Sequence, residues 1–516
     1  MSGHSRRDFL ADVGRGMLVA SLGSATALEL GLAPAYADES DARLTFGSLE
    51  PLVSLAQETP PEKLLPLLVE KLNSGTDLRT LVTAGALANA RAFGGQDYTG
   101  YHTFMALVPA YQMASELPSP SQALPVLKVL YRNSSRIQDQ GAQRRDTLQP
   151  VDAGDVAAST EREALREAVR QVDWEGAESR FAALAQGPAG EAFNHLQYTV
   201  QDEVNVHRVV LAWRAWAMLE LSGQQYAHTL LRQSVRFCLD SEQNSRERNR
   251  QPSEVRQVLP RLLDEYRLLS SPLGDQTADD DWVEHLARTI FSATREGAAD
   301  AAAAALAEGI SPEAVGEAIS LASNLLVLHD PGRREENSTP QKPPGCVHGD
   351  SVGVHASDAA NAWRNIARVS DQRNTVASLI VGAYHTAGQT RWTTDDPYPY
   401  AHLRDELQTT DQAKLLGQAE EAIRGNDQAM ACAVVQRYGD QNLPPRPLFD
   451  LLLKYAVSED GALHAEKYYR TVGEEFATTR PAFRWRQLVA LARVTASEHG
   501  YPAPGIEQAR DLLGIG

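Results

Sequence analysis

The chain has 516 residues, a net charge of -18 and an isoelectric point near 5.2. Its 43% apolar and 22% charged residues are ordinary for a folded globular protein and exclude a disordered or fibrous chain. The acidic balance, unbroken by any cluster of Lys and Arg, argues against nucleic acid or an anionic membrane surface as partner.

The first segment reads as an export signal. Arg6 and Arg7 are followed by Asp8, Phe9 and Leu10, the order that twin-arginine signals use. Met17 to Leu32 is apolar but diluted with Gly, Ser and Ala, short and weak for a membrane span, and Ala35 and Ala37 offer a signal peptidase its small residues. Residues 1–37 are therefore expected to be a twin-arginine signal peptide. The twin-arginine export machinery is the implied partner, the destination is periplasmic or otherwise extracytoplasmic, and no stable membrane insertion is expected after cleavage. Export of a folded chain favours a metal or cofactor chosen in the cytoplasm, where the wrong ion competes less.

Beyond the signal, apolar residues recur with helical period over Pro61 to Asn73, Leu78 to Phe93, Phe104 to Leu117, Arg162 to Val172, Phe193 to Glu220, Glu254 to Leu269 and Trp282 to Ala307. Alternating runs are scarce, so the expected fold class is all-α. Ser311, Pro312 and Glu313 spell a helix start: a capping hydroxyl, a proline in the first turn and an acid that favours the dipole. Loops are expected at Gln138 to Asp155, Ser270 to Asp281, Asp330 to Val347 and Thr386 to Tyr400. The third is long enough to be a lid or a flexible excursion.

The chain also repeats itself. Asp97, Gly100 and His102 have counterparts in Asp350, Gly353 and His355, each displaced by 253 residues, as Tyr131 is from Tyr384. A second block keeps an offset of 257, which pairs Tyr198 with Tyr455, Asp202 and Glu203 with Glu459 and Asp460, and His207 with His464. Asn89 and Asn324 correspond at 235, the long loop absorbing the difference. Offsets that hold within blocks and change across loops suggest two duplicated, pseudo-two-fold-related helical halves, 38–269 and 282–516, joined by a linker at 270–281.

The repeated residues carry metal-ligating chemistry. Cys238, Cys346 and Cys432 are too few and too scattered for a disulfide framework or an iron–sulfur cluster. No attached-haem motif, phosphate loop or serine-hydrolase elbow is evident, so a cofactor would be held by His and carboxylate groups. His102, His207, His355 and His464 are the expected ligands, with Asp97, Asp350, Glu203 and Asp460 as further ligands or as acceptors for the second ring nitrogen. A four-residue separation would place Glu203 and His207, and likewise Asp460 and His464, on one helix face. A single such pair is more often a solvated ion pair, and it is the recurrence in matched positions that favours a site. His348, His385 and Asp358 occur only in the second half and are the candidates for the catalytic, substrate-facing side.

These readings converge on an exported non-haem metal-dependent enzyme acting on a small-molecule substrate. An oxidoreductase is preferred, with iron as first choice of metal and copper or zinc as alternatives. A zinc-dependent hydrolase, or a helical binding protein whose histidines are structural, are the competing readings.

Overall fold

A computed structural model describes residues 43–142, 144, 146–153, 163–349 and 351–515. The signal at 1–37 and Asp350 lie outside them. The chain is all-helical: 71% helix in 23 α-helices, with no strand among the described residues. Three isolated bridges, such as that between Glu459 and Pro502, are the extended pairing found.

Local chemistry sets the helix ends. Ser311 accepts from the Ala314 amide and Pro312 fills the first position, as the sequence implies. Two long periodic stretches are broken where a cap intervenes. Thr294 accepts from the Gly297 amide and splits Trp282 to Ala307 into Asp280–Ser292 and Arg295–Ala307. Asn205 accepts from the His207 amide at 2.9 Å and starts Val206–Ser222 afresh after Ala189–Val200. Hydrophobic period alone misses such breaks, because both helices present an apolar face to the core.

The chain divides into two compact units. The first comprises 43–104, 130–200 and 214–251 among the described residues. There Arg91, fully buried, donates to Gln57 Oε1, the Leu44 carbonyl and Glu50 Oε1 at 2.7, 2.9 and 2.7 Å through Nε and Nη1, so its charge is paired with the Glu50 carboxylate. Asn89 reaches from Leu78–Phe93 to the Gly100 carbonyl at 2.8 Å and to Asn133 at 2.7 Å. This fixes the first turn of Tyr98–Ala114, the helix that carries His102.

The second unit comprises 105–129, 201–213 and 252–516. Pro312–Leu328 and Val352–Val369 approach closely at Gly353, where an added Cβ would lie 2.7 Å from the Val327 backbone. Gln372–Ala387 packs on Val352–Val369, with Gly382 giving room to the buried Trp363 ring. The Asp330 to Val347 segment is pinned rather than loose. The Gly345 amide donates to the Arg333 carbonyl and the Arg333 amide to the Cys346 carbonyl, Arg493 donates to the Asp330 carbonyl at 2.7 Å, and Tyr501 donates to the Pro340 carbonyl at 2.5 Å. Backbone groups left over by a loop need partners, and these contacts supply them.

Candidate metal centre

All four repeat-matched histidines sit near the start of a helix, His207, His355 and His464 in the first turn and His102 just past it. His102 is the fifth residue of Tyr98–Ala114, His207 the second of Val206–Ser222, His355 the fourth of Val352–Val369 and His464 the first of His464–Thr478. A side chain in a first turn points back past the helix start, so such a residue projects beyond the helix end instead of along its flank.

His102 belongs to the first unit, and His207, His355 and His464 to the second. In the second unit, Nε2 of His355 and Nε2 of His464 are 3.2 Å apart, and the His207 ring meets His355 edge-on with centroids 5.5 Å apart. His102 and His464 are buried, while His355 and His207 keep partial exposure.

The second ring nitrogens decide what this cluster can do. Nδ1 of His102 faces the Tyr98 carbonyl at 2.8 Å, Nδ1 of His355 the Ser351 carbonyl at 3.0 Å, and Nδ1 of His464 the Ala462 carbonyl at 3.0 Å. A carbonyl only accepts, so each Nδ1 carries hydrogen and each ring, when neutral, keeps its lone pair on Nε2. Two such lone pairs at 3.2 Å repel unless a cation lies between them or one ring, taking up a proton, donates an N–H to the other. Two imidazole nitrogens on one ion, each at about 2.0–2.1 Å, stand about 2.9–3.4 Å apart for angles between right and tetrahedral. The observed spacing falls in that interval. Backbone carbonyls also perform the orienting role that carboxylates fill in many metal sites.

The environment keeps the His207 ring neutral. His207 has its pKa pushed down to about 2, first by burial and then by the neighbouring His355 and the Lys467 ammonium. Lys467 is itself buried on His464–Thr478, next to Glu466. Glu466 pairs with the buried Lys128 at 2.7 Å, and Lys128 also donates to the Ala456 and Glu459 carbonyls at 2.9 and 2.6 Å. Those carbonyls lie just ahead of His464, so the pair braces the turn that presents it. That turn has left-handed residues in succession, Gly461, Ala462 and Leu463, with φ of 48°, 46° and 67°.

The acidic residues expected as ligands are placed differently. Asp97 caps its helix, accepting from the Gly100 amide at 2.7 Å, and holds Arg136 through two contacts of 2.8 Å. Glu203 precedes its helix and accepts from the Val204 amide at 3.0 Å, while Asp460 stands before a short 3-10 turn, Gly461–Leu463. Neither acid shares a helical face with its histidine, because both helices begin after the acid. Asp350 lies outside the described residues.

Of the second-half candidates, His348 is adjacent to the cluster, its ring 6.5 Å from His464. Asp358, one turn beyond His355, is buried and accepts from Thr471 Oγ1 at 2.9 Å. His385 is enclosed in the core against Trp363 Nε1 at 3.3 Å, with its pKa lowered to about 4 by burial and Arg295.

Sequence reasoning missed Glu498 and Gly349. Glu498 is buried, accepts from the Gly349 amide at 2.6 Å and stands 3.6 Å from His348 Nε2. Both line a cavity of about 20 Å³ beside His464, room for one water-sized molecule. A Cβ on Gly349 would lie 2.3 Å from His464 Cβ. Gly349→Ala is therefore expected to displace His464 and to destabilise the fold by about 1–3 kcal/mol. Urea unfolding measures this, and an unchanged midpoint would contradict the close approach.

No family model, curated protein or solved structure matches the chain significantly. The functional reading therefore stands on the geometry of the site.

Proposed function

We propose that this protein is an exported metal-dependent enzyme whose ion is held by the histidines of the second unit, His207, His355 and His464. The observation that carries the reading is the 3.2 Å separation of two Nε2 atoms whose rings are both committed, through Nδ1, to backbone carbonyls. A nitrogen-only set suits iron, copper or zinc. An open position on a buried ion would bind a small-molecule substrate or oxygen, and this supports an oxidoreductase as the first reading. Three histidines with an open fourth position are equally the donor set of catalytic zinc, where the ion lowers the pKa of bound water, so hydrolysis is the second reading.

Metal analysis of the exported protein separates them. Near one iron or copper per chain, with the matching electron paramagnetic resonance spectrum, is the expected result. Zinc alone would replace the redox reading with the hydrolytic one, and a chain that takes up no metal from any of the three would overturn the proposal.

Two further readings accompany this one. The halves 38–269 and 282–516 are proposed to descend from a duplication. Asp173 and Asp427 support it: each caps a helix with φ of -84°, with ψ of 87° and 86°, at nearly the offset of the histidine blocks. His102 and His355 likewise bond the carbonyl four residues earlier. Export through the twin-arginine route is proposed from Arg6 and Arg7, and replacing both with lysine is expected to leave the protein unprocessed in the cytoplasm. Normal periplasmic recovery of that variant would refute it. Among the described residues no helix is long and apolar enough to cross a membrane.

A further inference from the structure

We propose that the second unit carries a binding site for a small, uncharged aromatic molecule bearing an O–H or N–H donor, on the flank of His464–Thr478 and separate from the histidine cluster. The inference is independent of the metal reading above.

The site begins with a pattern on one helix. Tyr469, Gly473 and Phe476 stand at i, i+4 and i+7 of His464–Thr478, so they share a face, with the glycine between two aromatic side chains. Glycine is unfavourable inside a helix, and at Gly353 and Gly439 of this unit crowding accounts for it: an added Cβ would lie 2.7 Å from the Val327 backbone and 2.6 Å from the Trp485 ring. At Gly473 a Cβ would meet nothing within 4 Å. The missing side chain leaves open space there instead of relieving a contact.

Phe449, from the neighbouring helix Arg446–Ser458, adds a third aromatic wall. Its ring stands nearly perpendicular to those of Tyr469 and Phe476, at 88° and 85°, with centroids 6.0 and 5.3 Å away. The walls already hold the edge-to-face arrangement that aromatic rings favour, so a guest ring meets them without rearrangement. The cavity they line measures about 260 Å³. Roughly 150 Å³ suffices for benzene, so this one takes a single ring with a substituent.

The polar groups select among such molecules. Glu116, also on the cavity wall, accepts from Tyr469 Oη at 2.8 Å and from Arg446 Nη1 at 2.7 Å, and both contacts fall on Oε2. Its other oxygen keeps the capacity to accept. A neutral O–H or N–H donor can meet that oxygen in a charge-assisted bond without taking a charge of its own out of water. The two arginines on the wall are already matched: Arg446 also holds Asp450 at 2.9 Å, and Arg470 holds Glu474 at 2.7 Å. A carboxylate ligand therefore finds no unmatched cation, and an ammonium ligand would have to settle beside both guanidinium groups.

The test titrates the full mature chain, with metal content recorded for every preparation, with 4-fluorophenol, fluorobenzene, 4-fluorobenzoate and 4-fluorobenzylamine, followed by fluorine NMR. The phenol is expected to bind at least ~10-fold more tightly than the other three. Gly473→Leu, which fills the space, is expected to abolish binding at unchanged metal content and helicity, and Gly473→Ala, which favours the helix, to weaken it partway. Glu116→Gln is expected to narrow the gap between the phenol and fluorobenzene. Undiminished binding to a folded Gly473→Leu, no binding of the phenol to the wild type, or tighter binding of the benzoate or the amine would overturn the proposal. Phenol binding that survives Gly473→Leu but disappears when the metal is chelated would place the ligand on the ion, overturning this proposal while supporting the metal reading.

Discussion

His355→Ala is expected to reduce metal affinity by at least about 100-fold, the larger end of what losing a single orienting partner costs, because a coordinating atom itself is removed. The substitution takes away one of the two nitrogens that stand 3.2 Å apart. Metal content after dialysis against a weak chelator measures the loss. His285→Ala serves as the control, since His285 lies on the exposed face of Asp280–Ser292. The apo fold should survive, because burial of a neutral ring is exchanged for a small cavity at a partly exposed position. Retention of a full metal complement by His355→Ala would remove the cluster as the binding site. Activity cannot serve as the sole readout, since a displaced ring could abolish it without touching the ion.

The second large effect lies behind the site. Lys128→Met is expected to cost about 3–5 kcal/mol of stability, the range for removing one partner of a buried ion pair and leaving the other charge uncompensated. Lys128 and Glu466 are 1% and 0% exposed, so solvent screening does little to soften the loss. The double variant Lys128→Met, Glu466→Leu should recover much of it, as the stranded carboxylate is gone. It should not recover all, because the Ala456 and Glu459 carbonyls lose the ammonium that joins them. Chemical unfolding of the three proteins gives the cycle. A single variant within about 1 kcal/mol of wild type would mean that the pair is hydrated or already neutral.

Much of this architecture was readable from the chain, and the reasons for the rest are specific. Helical period located Pro61–Asn73 and Leu78–Phe93 to the residue, since both have a continuous apolar stripe and a clear stop. It fused Ala189–Val200 with Val206–Ser222, because the intervening Asp202 to Asn205 turn is short and the stripe resumes after it. That single error also put Glu203 on a helix it does not join. The repeat singled out four histidines because identical residues at a fixed offset stand out against diverged neighbours. It also promoted the flanking acids, which recur for a different reason: Asp97 is a cap and an Arg136 partner. Lys128, Glu466, Lys467 and Glu498 left no periodic trace. A buried ion pair is defined by what it meets in space, and Lys128 and Glu466 are more than three hundred positions apart. The one available hint was a lone lysine inside the apolar run from Leu124 to Leu130.

The three left-handed residues before His464 bear on what kind of ion this scaffold suits. Ala462 and Leu463 have side chains that disfavour that conformation by roughly 1–2 kcal/mol each, and glycine at either place would relieve it. A turn held against its own preference by Lys128 on one side and Gly349 on the other is a stiff mount. A stiff mount resists the change of bond lengths and angles that accompanies electron transfer at an ion whose two oxidation states prefer different shapes. The position of His464 would therefore lower the reorganisation open to an ion bound there, so that its reactivity would be governed by what enters an open coordination position more than by rearrangement of the ligands already there.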